Sequence, residues 1–117
     1  MENIEALKNC QKEIMEPVIK RCLEIKGEIV AKDEREGGLR KILNFGHTIG
    51  HALEGISNFS RYTHGEAVII GMYYETLLAV ENGLIKKDYA QELLKLIKTL
   101  EIDLDISQYS IKELINW

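Results

Sequence analysis

All three histidines of this 117-residue chain, His47, His51 and His64, fall within one short stretch. His47 and His51 stand four residues apart, so on a helix both rings project from one face and can be offered to a single site. A surface pair has the same spacing, and the spacing alone leaves both readings open. Gly46 and Gly50 weigh toward a site, because helix interiors avoid glycine at about 1 kcal/mol each and here each glycine immediately precedes a histidine. Some other group must approach that backbone closely. His64 opens a His-Gly-Glu tripeptide ahead of the next helical run, and a loop that folds back would carry its ring to the same point. Three imidazoles, or two and a carboxylate, make a catalytic zinc site with one position open. Arg40, Asn44, His47 and His51 are spaced 4, 3 and 4 apart, which places them on one stripe of a continuous helix. Solvent could face that stripe, but the flanking Leu39, Leu43 and Ile49 favour a lined cleft. Lys26 by itself reads as an ordinary exposed lysine; an antiparallel return would bring it near Arg40, and the two together could bind a carboxylate or phosphate.

The elements that must position these residues read as helices, which makes the fold class all-α. Ile4, Leu7 and Ile14 share one side of a first segment that Pro17 ends or kinks, and Pro17 then opens a second helix. In that helix Val18, Cys22, Ile25 and Ile29 form the core stripe. The run AKDEREGG is a charged turn, after which Leu39, Ile42, Leu43, Ile49, Leu53 and Ile56 predict a third helix that carries the polar stripe. Residues 57–63 show no stripe. A fourth helix is predicted from about His64 to Asn82, with Gly83 as its stop. Asp88 with Gln91 and Ser110 with Glu113 have the capping spacing and predict two more starts. Only IDLDI at 102–106 hints at a strand. The last residues, SIKELINW, place Ile111, Leu114 and Ile115 on an amphipathic helix that reads as cut short. No linker or repeat divides the chain, so residues 1–117 are expected to be one helical domain.

Composition narrows the function classes. With 45% hydrophobic and 29% charged residues, the chain can bury a core, and disorder is excluded. The net charge of −4 gives no general attraction for nucleic acid or anionic lipid. No apolar run approaches the roughly 18 residues needed to span a bilayer, and residues 1–15 are too charged for a signal peptide, so the cytoplasm is the expected compartment. Cys10 and Cys22 lie too far apart along helical segments for a disulfide, match no metal spacing, and are expected to be reduced packing residues.

EIKGEIVAKDEREGGLRKILNFGHTIGHALE followed by HGEAVIIGMYYE resembles the C-terminal domain of the 3-dehydroquinate synthase family, over nearly the whole chain. The resemblance implies an all-helical domain that packs against an N-terminal NAD-binding domain, with the active site between them and a homodimer as the intact enzyme. It implies that His47 and His64 are ligands of Zn2+ or Co2+, and that His51 is a non-ligating catalytic histidine that meets the substrate. It gives Lys26, Arg40 and Asn44, with His51, to substrate binding. The reaction implied converts the keto sugar-acid phosphate DAHP to 3-dehydroquinate and phosphate, as a carbon–oxygen lyase of the shikimate pathway that uses NAD catalytically. The family's third ligand, a glutamate, its Gly-rich loop and its NAD-binding strands have no counterpart in these residues, and a further substrate lysine is expected beyond Trp117. The chain is therefore expected to be an inactive fragment with weak metal affinity. Two alternatives remain: another sugar-phosphate cyclase, such as a 2-deoxy-scyllo-inosose synthase, or a non-catalytic helical module that binds a protein.

Overall fold

The computed structural model describes residues 3–33, 38–110 and 112–113, for Leu39 and Arg40 the backbone alone. Among these residues lie five α-helices, one 3-10 helix and no strand: α1 (Ile4–Lys8), α2 (Lys12–Lys32), the 3-10 helix Leu39–Asn44, α3 (His47–Ile56), α4 (His64–Glu81) and α5 (Lys87–Thr99). The all-α expectation holds. The chain gathers into two compact units, residues 1–44 and 45–117.

In the first unit the break between helices falls at Cys10, not at Pro17. Cys10 takes a left-handed φ of 52°, and its N–H donates to the Leu7 carbonyl while that of Gln11 donates to Ala6. These two bonds satisfy the carbonyls that the end of α1 leaves free. Pro17 sits inside α2, where its missing N–H removes one bond without ending the helix. No residue of α2 is buried. Val18 and Ile29 are half-buried and Cys22 and Ile25 exposed, so the stripe predicted as core is only partly covered. Both cysteines are free and exposed and do not act as packing residues. The 3-10 helix packs against α2, and the Gly38 N–H donates to Asp33 Oδ2 ahead of it.

The second unit is built on α3 and α4. Leu53, Ala67 and Ile70 form its buried centre, surrounded by Ile49, Ile56, Tyr62, Tyr74, Ile102, Leu104, Ile106 and Tyr109. The two helices meet through glycine. A Cβ on Gly71 would lie 2.0 Å from the Gly46 carbonyl oxygen and 2.9 Å from the Gly50 nitrogen; one on Gly50 would lie 3.1 Å from the Ala67 carbonyl oxygen. The group that approaches the Gly46–Gly50 backbone is therefore the backbone of α4. Asn58 and Phe59, at φ 53° and 58°, reverse the chain after α3, and their N–H groups donate to the Gly55 and Glu54 carbonyls. Gly83, at φ 69°, ends α4 in the same way, as its position predicts.

Three other boundaries differ from the sequence reading. The predicted third helix is not continuous: Gly46, at φ 85°, separates the 3-10 helix Leu39–Asn44 from α3. Arg40, Asn44, His47 and His51 are therefore not carried by one continuous helix. α5 starts at Lys87 with Lys86 as an uncapped N-terminal residue, so Asp88 is a first-turn residue and not the cap. Residues 102–106 form no ladder; Ile102, Leu104 and Ile106 still turn toward the core in alternation. The Tyr74 hydroxyl holds the segment by donating to the Leu104 carbonyl at 2.6 Å. The Ser110–Glu113 box forms as predicted, the Ser110 N–H donating to Glu113 Oε2 and the Glu113 N–H to Ser110 Oγ. Ile111, Leu114 and Ile115 lie outside the described residues.

Candidate functional site

α3 carries His47 at its first position and His51 one turn later, and α4 carries His64 at its first position. Thr63 fixes the entry to α4: its hydroxyl accepts from the Glu66 N–H at 3.2 Å, a Thr-x-x-Glu start that marks the ring's place in the chain. The turn at 58–59 brings the start of α4 back to α3. The three rings consequently converge, with centroids 5.4 Å apart for His47–His51, 5.4 Å for His47–His64 and 6.0 Å for His51–His64.

A carboxylate holds two of the rings. Glu54 is 6% exposed, while the His51 and His64 side chains are 64% and 60% exposed. His51 Nδ1 lies 3.2 Å from Glu54 Oε2 and His64 Nδ1 lies 2.5 Å from Oε1. The hydrogen bonds from His64 and then His51 hold the Glu54 carboxyl below the ordinary carboxylate value. An ionised carboxylate only accepts, so both Nδ1 atoms carry hydrogen. His47 Nδ1 lies 3.3 Å from the Phe45 carbonyl oxygen, which also only accepts. In each ring the nitrogen left for an outside partner is Nε2, which bears the lone pair in the neutral form.

That donor set suits a metal ion, whose histidine ligands give their other N–H to a carboxylate or a backbone carbonyl. The His47 and His64 rings, with centroids 5.4 Å apart, lie inside the roughly 8 Å beyond which two bonds of about 2.1 Å could not reach one ion. Among the described residues no group of three or more His, Cys, Asp or Glu side chains could hold a metal ion.

A second carboxylate anchors α3. Glu75 of α4 accepts from the Gly46 N–H at 2.7 Å and from the Ile49 N–H at 3.2 Å, supplying from a neighbouring helix the cap that Gly46 lacks. Sequence reasoning assigned no role to Glu54 or Glu75. The available signal was an acid inside each otherwise apolar run, ALEGI and MYYETLL. Lys26 is exposed on α2, Asn44 is exposed at the end of the 3-10 helix, and Arg40 lies in that helix with its side chain outside the described residues.

A family model described as 3-dehydroquinate synthase C-terminal matches residues 1–117. Similar curated proteins include the 3-dehydroquinate synthases of Alkaliphilus metalliredigens, 46% identical over 98% of this chain, Caldanaerobacter subterraneus, 44% over 98%, and Geotalea uraniireducens, 40% over 97%. The match covers 32% of each of these relatives, so the chain spans about a third of their length.

Proposed function

Because the chain belongs to the 3-dehydroquinate synthase C-terminal family, we propose that it supplies the metal- and substrate-binding part of a 3-dehydroquinate synthase. The substrate is DAHP, and the products are 3-dehydroquinate and phosphate. The observation that supports this most directly is the convergence of three imidazoles whose Nδ1 atoms are all held by acceptors. His47 and His64 would bind Zn2+ or Co2+ through Nε2, with a glutamate from outside these residues as third ligand. Bound there, the ion would polarise substrate oxygens and lower a hydroxyl pKa.

His51, with its Nε2 free and its ring fixed from behind, takes or returns a proton at the substrate. Lys26 and Arg40 supply cations for the carboxylate and phosphate, and Asn44 can donate to or accept from a hydroxyl. NAD would be bound by a separate N-terminal domain, and the intact enzyme would be a cytoplasmic homodimer. Among the described residues no helix is long and apolar enough to cross a membrane.

Mixing the 117-residue chain with the N-terminal part of a similar synthase tests the proposal. With zinc and NAD, DAHP-dependent phosphate release should appear in the mixture and stay at background for either part alone. His47→Ala should reduce it at least about 100-fold, as expected for loss of a ligand. Preference for glucose 6-phosphate would move the assignment to the inosose synthases. Activity unchanged in both His47→Ala and His64→Ala would overturn the metal roles.

A further inference from the structure

Among the described residues Glu54 is the one buried acid, and the partners of its two carboxylate oxygens there are His51 and His64, with no Lys or Arg. A buried carboxylate with unsatisfied lone pairs is costly, so these two bonds explain how it is tolerated. They also do something to the rings. Each imidazole is more than half exposed and would otherwise rotate and exchange its N–H between two nitrogens. We infer that Glu54 is a positioning residue that locks His51 and His64 into one common tautomer, Nδ1–H toward its carboxylate and Nε2 bare, so that the two rings are set as a pair.

The inference rests on the reading above only in what the bare nitrogens are used for: metal binding at His64 and proton transfer at His51. The tautomer lock itself depends on the hydrogen bonds alone. It requires an acceptor with two free oxygens. A glutamine in place of Glu54 offers one oxygen and one NH2 group, and the ring that meets the NH2 must present a bare Nδ1 and move its hydrogen to Nε2. That ring then loses its outward lone pair. His47 is the internal control, because its Nδ1 faces the Phe45 carbonyl and not Glu54.

The test is a long-range 15N–1H spectrum of the 117-residue chain labelled at its histidines, recorded at a pH where imidazole is neutral. In the unsubstituted chain His51 and His64 should both show a protonated Nδ1 and a bare Nε2; an Nε2–H form at either ring overturns the inference, whatever any variant does. In Glu54→Gln one of the two rings should switch to Nε2–H while His47 is unchanged, and two unchanged rings overturn the lock. A zinc titration separates this from the functional reading. Zinc binding that weakens about 10–100-fold in Glu54→Gln, the usual effect of removing a carboxylate behind a ligand, supports both. No zinc binding by an unsubstituted chain with the stated tautomers overturns the metal assignment and leaves the positioning role supported.

Discussion

Asp103 and Asp105 show how single side chains satisfy backbone donors where no sheet ladder does. The Asp105 N–H donates to Asp103 Oδ1 at 3.0 Å and the Ser107 N–H to Asp105 Oδ1 at 2.9 Å, the two-residue spacing of Asx-turns. The Ser107 hydroxyl and then its N–H hold the Asp105 carboxyl below its ordinary value. A carboxyl whose folded pKa lies below its unfolded one stabilises the fold fully above the unfolded value of about 3.9, and that contribution disappears as pH falls through the lowered folded value. Urea midpoints measured from pH 7 to pH 2 should therefore drop at the acid end, and Asp105→Asn should drop less over the same interval; identical acid slopes would remove Asp105 from the account. At this scale the sequence was most legible where chemistry follows residue type. His47, His51 and His64 were singled out together, and the structure brings their rings within 6.0 Å. The spacing of three between His51 and Glu54 lies on one helix, but the second partner, His64, is ten residues away across a turn, which such spacing does not reveal.

The contact between α3 and α4 is set by what glycine lacks. At Gly71 an added Cβ would meet backbone at 2.0 Å, and backbone cannot swing aside, so Gly71→Ala should cost at least about 3 kcal/mol. At Gly50 the neighbours lie at 3.1–3.3 Å, and Gly50→Ala should cost about 1 kcal/mol net of the better helix propensity. Gly27 of α2 has nothing within 4 Å, and Gly27→Ala should gain about 0.5–1 kcal/mol. Urea unfolding of the three variants checks the order, and Gly71→Ala as stable as Gly27→Ala would refute the close approach. The glycines before the histidines were correctly read as a sign of close approach, although the approaching group is a helix backbone. Element existence was legible from periodicity. Boundaries were missed where a residue with no turn preference takes positive φ, as at Cys10, or where a carboxylate from another helix supplies the cap, as Glu75 does for α3. A local pattern contains neither fact.

Across the molecule, burial is uneven. The second unit holds Leu53, Ala67, Ile70, Ala90 and Ile97 at 7% exposure or less, whereas α2 buries no residue and leaves Ile19, Leu23 and Ile25 exposed at 51%, 66% and 41%. Amides of α2 should accordingly exchange through small local openings, while those around Leu53 and Ile70 wait for global unfolding. Native-state hydrogen exchange resolves this, and equal protection in the two regions would contradict it. The amphipathic pattern of α2 was legible in the sequence; the degree of cover over its apolar stripe was not, because that depends on what packs against it. The hairpin of α3 and α4 has one more consequence, in time. All three imidazoles, Glu54 and Glu75 lie between residues 47 and 75, joined by the short reversal at 57–63. Closing so short a loop costs little chain entropy, and contacts that local can form ahead of the rest of the fold. Gly50→Ala should then slow refolding, whereas Ile97→Val on α5 should chiefly quicken unfolding, a division that chevron kinetics would display. The histidine cluster would on this account be among the first parts of the chain to take shape.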